Sequence, residues 1–209
     1  MNSLAINNQV INYQITYKKI KHLYFRYQNG IWQISAAKKF SQSEIIQYMT
    51  NHFDLLVRKQ TKANNRLVIP KYSIFGVEYS QEDFYRQANL PNQAKYYQEV
   101  LKRALVKEIE QLDEWLCSKL SIVKLELVKT KFKKYKSRYG SCNIIKREIT
   151  INTFMARIEI KYLKCVLLHE YAHLLVANHS VKFYTVLGQM LPNHYDLQKN
   201  LRKIPITFE

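Results

Sequence analysis

The stretch LLHEYAHLLVANHS, Leu167 to Ser180, sets three histidines and one glutamate into an otherwise apolar run. Burying imidazole and carboxylate groups without partners is costly, so a segment patterned for a protein core must supply these groups with a shared partner. His169 and His173 lie four positions apart. On a helix that spacing stacks them one turn above each other, with ring nitrogens able to converge on one ion. Glu170 is rotated about 100° from His169 and about 60° from His173, so it flanks the ion without ligating it. There it is placed to take a proton from a zinc-bound water, whose pKa the metal lowers to about 7.

A catalytic zinc takes three protein ligands and keeps one position open. His179 is the expected third ligand, with Asp196 and His194 on a later helix as competitors. For His179 to reach the ion the helix must end and the chain fold back. Val176 is β-branched and disfavours positive φ, so the bend is expected at Asn178. Two bland readings compete. Three satisfied core histidines would leave the spacing a coincidence, and a structural zinc would be closed by a fourth ligand and leave Glu170 without a task.

Working outward, the periodicities predict an α+β protein. A small β-rich N-terminal unit with one helix occupies residues 1–90, and a zincin-like catalytic unit carrying the H-E-x-x-H helix occupies 91–209. Ile11, Tyr13, Ile15 and Tyr17 alternate with polar residues, the period of a half-buried strand. Asn29-Gly30 between Leu23–Tyr27 and Ile31–Ser35 predicts a tight hairpin. Ser41 with Glu44 forms a capping box for a helix reaching about Arg58. The 67–80 segment suggests one or two short strands, and the polar stretch beginning at Ser80 looks like a connection. A long helix is expected from about Asn92 to Leu120, strands in SIVKLELVK (121–129) and REITINTF (147–154), the histidine helix from about Glu159 to Asn178, and two closing helices.

The formal net charge of +17 over 209 residues attracts polyanions and phosphate-bearing molecules without choosing among them. Basic residues concentrate around Lys18–Arg26 and Lys129–Arg138, where a solvated face is the bland reading. Cys117, Cys142 and Cys165 are odd in number and never spaced C-x-x-C, which excludes a disulfide framework and a cysteine-type zinc site. No long apolar run and no signal-like N-terminus are present, so a cytoplasmic, non-membrane protein is expected.

The C-terminal part resembles the YgjP-like metallopeptidases, zincins related to the SprT and WLM groups. The match rests on Ser137-Arg138-Tyr139-Gly140-Ser141-Cys142, on Asn152, and on His169, Glu170, His173 with Asn178-His179-Ser180. The resemblance implies zinc on His169, His173 and His179, with Glu170 as general base. Tyr139 replaces the family's usual tryptophan, Tyr184 stands near a second such position, and the usual proline before the active-site helix is absent. If the family arrangement holds, the Arg138 loop passes near the metal, and Arg138 is read either as a clamp on a carbonyl or phosphate oxygen or as a structural ion pair. Tyr139 and Cys142 read as packing residues. The leading function is a zinc metallopeptidase acting on peptides or proteins. The alternatives are hydrolysis of a nucleotide phosphoanhydride on the same centre and a nucleic-acid-associated module docking through the basic strips.

Overall fold

The computed structural model describes residues 2–6, 9–64 and 67–208, and the chain divides into two compact units, Met1–Arg66 and Leu67–Glu209. Both mix sheet and helix, as the periodicities predict. Residues 67–90, expected with the N-terminal unit, lie in the second, because Ile74, Phe84 and Tyr85 are buried in its core.

The first unit is a four-stranded sheet of β1 (Asn2–Ile6), β2 (Gln9–Lys18), β3 (Tyr24–Gln28) and β4 (Ile31–Ala37), in the order β1-β2-β4-β3. β2 and β4 pair in parallel, while β3 returns antiparallel at the edge. The β3–β4 turn places Asn29 at φ 52° and Gly30 at φ 79°, the left-handed pair that matches strand twist in a two-residue hairpin. Alternation turns Ile11 and Tyr13 of β2 and Trp32, Ile34 and Ala36 of β4 to one face. Ile45 and Met49 of α1 (Gln42–Asn51) and Phe53 and Leu56 of α2 (Phe53–Asn64) complete that cluster. Ser41 caps α1 as expected: its hydroxyl accepts the Glu44 amide while the Glu44 carboxylate accepts the Ser41 amide. The helix is interrupted at His52 and then runs on to Asn64. There the imidazole Nδ1 donates to the Tyr48 carbonyl at 3.0 Å and the ring stacks on Tyr48, competing locally with the helical ladder.

The second unit opens with a minimal hairpin, β5 (Ser73–Ile74) and β6 (Val77–Glu78), followed by α3 (Gln81–Arg86). The expected connection is thus partly helical: Ser80 accepts the Asp83 amide, and Phe84 and Tyr85 are driven into the core. The long helix is α4 (Tyr97–Gln111) and α5 (Asp113–Ser121), divided at Leu112. A three-stranded sheet follows in the order β7-β9-β8, from β7 (Lys129–Lys133), β8 (Gly140–Asn143) and β9 (Glu148–Asn152). The strand expected in 121–129 is therefore displaced into the lysine-rich segment. Residues 121–125 instead finish α5, with Lys124 at φ 57° and the Leu125 amide donating back to the Leu120 carbonyl, a left-handed helix stop. β9 leads through a fully buried 3-10 turn (Thr153–Arg157) into α6 (Ile160–Ala172), and α7 (Val181–Met190) and α8 (His194–Leu201) close the fold. No helix among the described residues is long and apolar enough to cross a membrane.

Leu101 of α4 is fully buried in the core of the second unit. Replacing it with alanine should cost about 2–5 kcal/mol through lost burial and a residual cavity, read as a lower midpoint in chemical denaturation.

Candidate metal centre and active site

Helix α6 is a core helix whose rim carries the chemistry. Leu163, Leu167, Leu168 and Ala172 are buried among the core residues of the second unit, while His169 and His173 are only partly covered. The helix ends at Ala172 rather than near Asn178. Residues 173–175 form a turn, and the chain reverses without a positive φ anywhere in 173–180, so the bend needs neither a left-handed Asn178 nor a glycine. Ser180, extended at φ −75° and ψ 175°, then starts α7.

The reversal carries His179 back over α6. Its Nε2 lies 3.1 Å from His169 Nε2, and among the described residues one ligand atom from each of His169, His173 and His179 fits within 4.8 Å of the others. Phe183, fully buried, packs against all three rings at centroid distances of 4.6–4.9 Å and forms an apolar floor. Asp196 and His194 do not join the cluster; His194 stacks on Tyr184 at 5.8 Å.

Burial favours the neutral form of His169 and His173. Burial, reinforced by the neighbouring His173, His179 and His194, pulls His169 down to about 4, and burial also lowers His173. Neutral imidazole is the ligating form. His173 Nδ1 lies 3.1 Å from the Val176 carbonyl. A carbonyl only accepts, so Nδ1 carries the proton and Nε2 keeps its lone pair for an ion. On the other side Gln198 of α8 sets its amide 3.2 Å from His169 Nδ1. Tetrahedral zinc with imidazole bonds of 2.0–2.1 Å separates ligand nitrogens by about 3.3 Å. The donor type, the 3.1 Å approach and the fixed tautomer of His173 all fit such an ion.

Glu170 is buried on the same helix, and burial pushes its carboxyl up to about 7 against the opposing pull of Arg138. It rests on strand β8 at Gly140, where an added Cβ would stand 2.8 Å from Glu170 Oε1 and 2.9 Å from its Cγ. Only glycine lets the strand approach so closely. Arg138 precedes that strand. Its side chain is exposed, lies over the Tyr135 ring, and makes no ion pair among the described residues, so the structural ion pair considered for it is not seen. Its backbone is clamped by Asn152, whose buried amide donates to the Arg138 and Tyr135 carbonyls and accepts the Tyr135 and Phe154 amides. Tyr139 donates its hydroxyl to the carbonyls of Leu201 and Ile204, a packing role. Cys142 stays partly buried, with its thiol pushed up to about 11 by burial. His169, Glu170, His179 and Arg138 line one cleft of about 410 Å³, together with Tyr184, Gln198 and Arg202.

Residues 33–204 match the family described as YgjP-like, metallopeptidase domain. The chain belongs to the YgjP-like metallopeptidase family. It is accordingly a peptidase-type hydrolase, with a histidine triad able to hold a metal ion. The crystal structure of the metallopeptidase zymogen of Pyrococcus abyssi abylysin is similar over 46% of this chain and 99% of that one, at 17% identity and TM-score 0.40. No curated protein matches the chain. Three residues at this family site were not assigned from sequence: Gly140, Phe183 and Gln198. Glycine within a strand signals close backbone approach. Phe183 and Gln198 carry no local signal, because only the chain reversal brings them to the histidines.

Two measurements probe this geometry. Glu170 has a folded pKa near 7 against an ordinary 4.5. Its contribution to stability is therefore full below about 4.5 and is lost as pH rises through 7, where the buried group must ionise. Chelator-treated Glu170→Gln should then be more stable than the chelator-treated parent by roughly 3 kcal/mol well above pH 7, the difference vanishing in acid; equal alkaline midpoints would contradict the assignment. Gln198→Ala should weaken metal affinity by about 10–100-fold, the usual cost of losing a ligand's hydrogen-bond partner, measured by competition with a chromophoric chelator.

Proposed function

We propose that this metallopeptidase is zinc-dependent, with His169, His173 and His179 as ligands and Glu170 as general base. The observation carrying this reading is the convergence of the His169, His173 and His179 imidazoles beside a buried Glu170, with His169, His179 and Glu170 lining one cleft. Zinc, when bound, supplies Lewis acidity toward water and a substrate carbonyl. Glu170 accepts the proton that the attacking water loses and returns it to the departing amine. Its contact with Gly140 confines the carboxylate to the cleft side of α6. The Arg138 guanidinium, lining the same cleft and without an ion pair among the described residues, donates to the oxyanion that develops on the substrate. Phe183, fully buried, packs against all three rings and keeps water from that side of them.

The phosphoanhydride reading uses the same residues, but the family match favours peptide bonds. Docking to nucleic acid through the basic strips, and a cytoplasmic location, remain proposals resting on composition alone.

Glu170→Gln should retain stoichiometric metal while losing at least about 100-fold in kcat, the scale of a general base. His179→Ala should lose the metal itself on elemental analysis of protein purified without chelator. Parent-like turnover in the first variant, or undiminished metal in the second, would overturn the respective assignment.

A further inference from the structure

Ion pairs engage four of the many exposed cations of the second unit: Arg86 with Glu82 and Asp83, Arg103 with Glu99, Lys131 with Glu148, Lys161 with Glu159. The cleft brings together two of the others. Two guanidiniums, Arg138 and Arg202, line it beside a single carboxylate, Glu170, and neither forms an ion pair among the described residues. Arg138 shares the cleft with Glu170. Arg202 is the C-cap residue of α8, and its side chain is exposed.

The backbone around both arginines is fixed. The Asn152 amide holds the Arg138 carbonyl at 2.7 Å. One residue along, the Tyr139 hydroxyl bridges to the carbonyls of Leu201 and Ile204, at 2.9 and 2.6 Å, on either side of Arg202. The Arg202 amide itself donates to the Gln198 carbonyl. The segment bearing Arg202 is thereby tied to the residue that follows Arg138, whose guanidinium lies over the Tyr135 ring. The remaining wall, with Tyr139, Val166, Tyr184 and Leu201, is largely apolar and suits the aliphatic stem of a side chain. A planar guanidinium on a fixed backbone recognises a carboxylate in bidentate fashion.

We propose that Arg202 is a specificity-determining residue that grips the carboxylate of an aspartate or glutamate beside the scissile bond, making acidic peptides the substrate class. This rests on the peptidase reading above and names its substrates.

The test uses the full-length, metal-loaded protein and internally quenched peptides that differ only at one position flanking the scissile bond, carrying Asp or Glu, the amide isosteres Asn or Gln, or Lys. The parent should favour the acidic peptides over their amide isosteres by about tenfold or more in kcat/KM. Arg202→Ala should erase that ratio, and Arg202→Glu should turn it toward the Lys peptide; circular dichroism confirms that both variants are folded. A parent without acidic preference, or a preference surviving both substitutions, overturns the proposal. A binding arm separates the two readings. Glu170→Gln protein, titrated with the same peptides labelled for anisotropy, should bind acidic ones more tightly, and Arg202→Ala added to it should abolish the difference. Arg202-dependent binding without cleavage by the parent would sink the peptidase reading and leave the recognition standing. Displacement by a nucleoside triphosphate, with no selectivity among peptides, would assign the arginines to phosphate and overturn the acidic-peptide proposal.

Discussion

Three imidazoles can share so small a space only if they remain uncharged. Their ring centroids stand 4.8–5.0 Å apart, and each protonation would place a cation against its neighbours over an apolar floor. Burial and mutual repulsion answer this by pulling His169 down to about 4. Neutral rings at His169 and His173 each keep a nitrogen lone pair, so an incoming cation need not first drive a hydrogen ion from either. The apolar face of α6, the Phe183 ring and the turn after His173 all serve this one electrostatic requirement.

The carboxylate is governed by the opposite tension. The wall that makes the histidines neutral also disfavours an ionised Glu170, and the Arg138 charge offsets only part of that cost. Position compensates for what electrostatics withhold. Gly140 brings backbone against the carboxylate, and Asn152 spends three of its four amide hydrogen bonds on the loop leading to that strand and the fourth on the Phe154 amide. Strand, loop and helix are thus coupled by polar contacts at the centre as well as by core packing.

Local signals made much of this readable in the sequence. The i, i+4 histidines with an intervening glutamate, the Asn29-Gly30 turn and the Ser41–Glu44 box each draw on interactions a few residues apart, and the structure forms each element they predict. What escaped depends on distant contacts or on conflicting cues. Strand β7 alternates partly buried Thr130 and Phe132 with exposed lysines, a clear period of two that its charge disguised as a loop. Helix α3 was hidden because Ser80 and Asp83 read as polar linker, although Phe84 and Tyr85 behind them anchor the core. The halt of α5 at a left-handed Lys124 was unreadable, since lysine carries no preference for that conformation. Gln198 and Arg202 reached the cleft through tertiary folding alone.

The early end of α6 has one more consequence. Had the helix run on through Ser180, the Val176 carbonyl would have been taken by the Ser180 amide, and His179 would have pointed about 240° around the axis from His173. Ending at Ala172 frees that oxygen to fix the His173 tautomer and releases the chain to double back. The length of the helix, more than the identity of its histidines, therefore decides whether the three rings converge or spread along an ordinary amphipathic rod. Substitutions in 174–178 that favour helical continuation would disperse the cluster while leaving every histidine in the sequence.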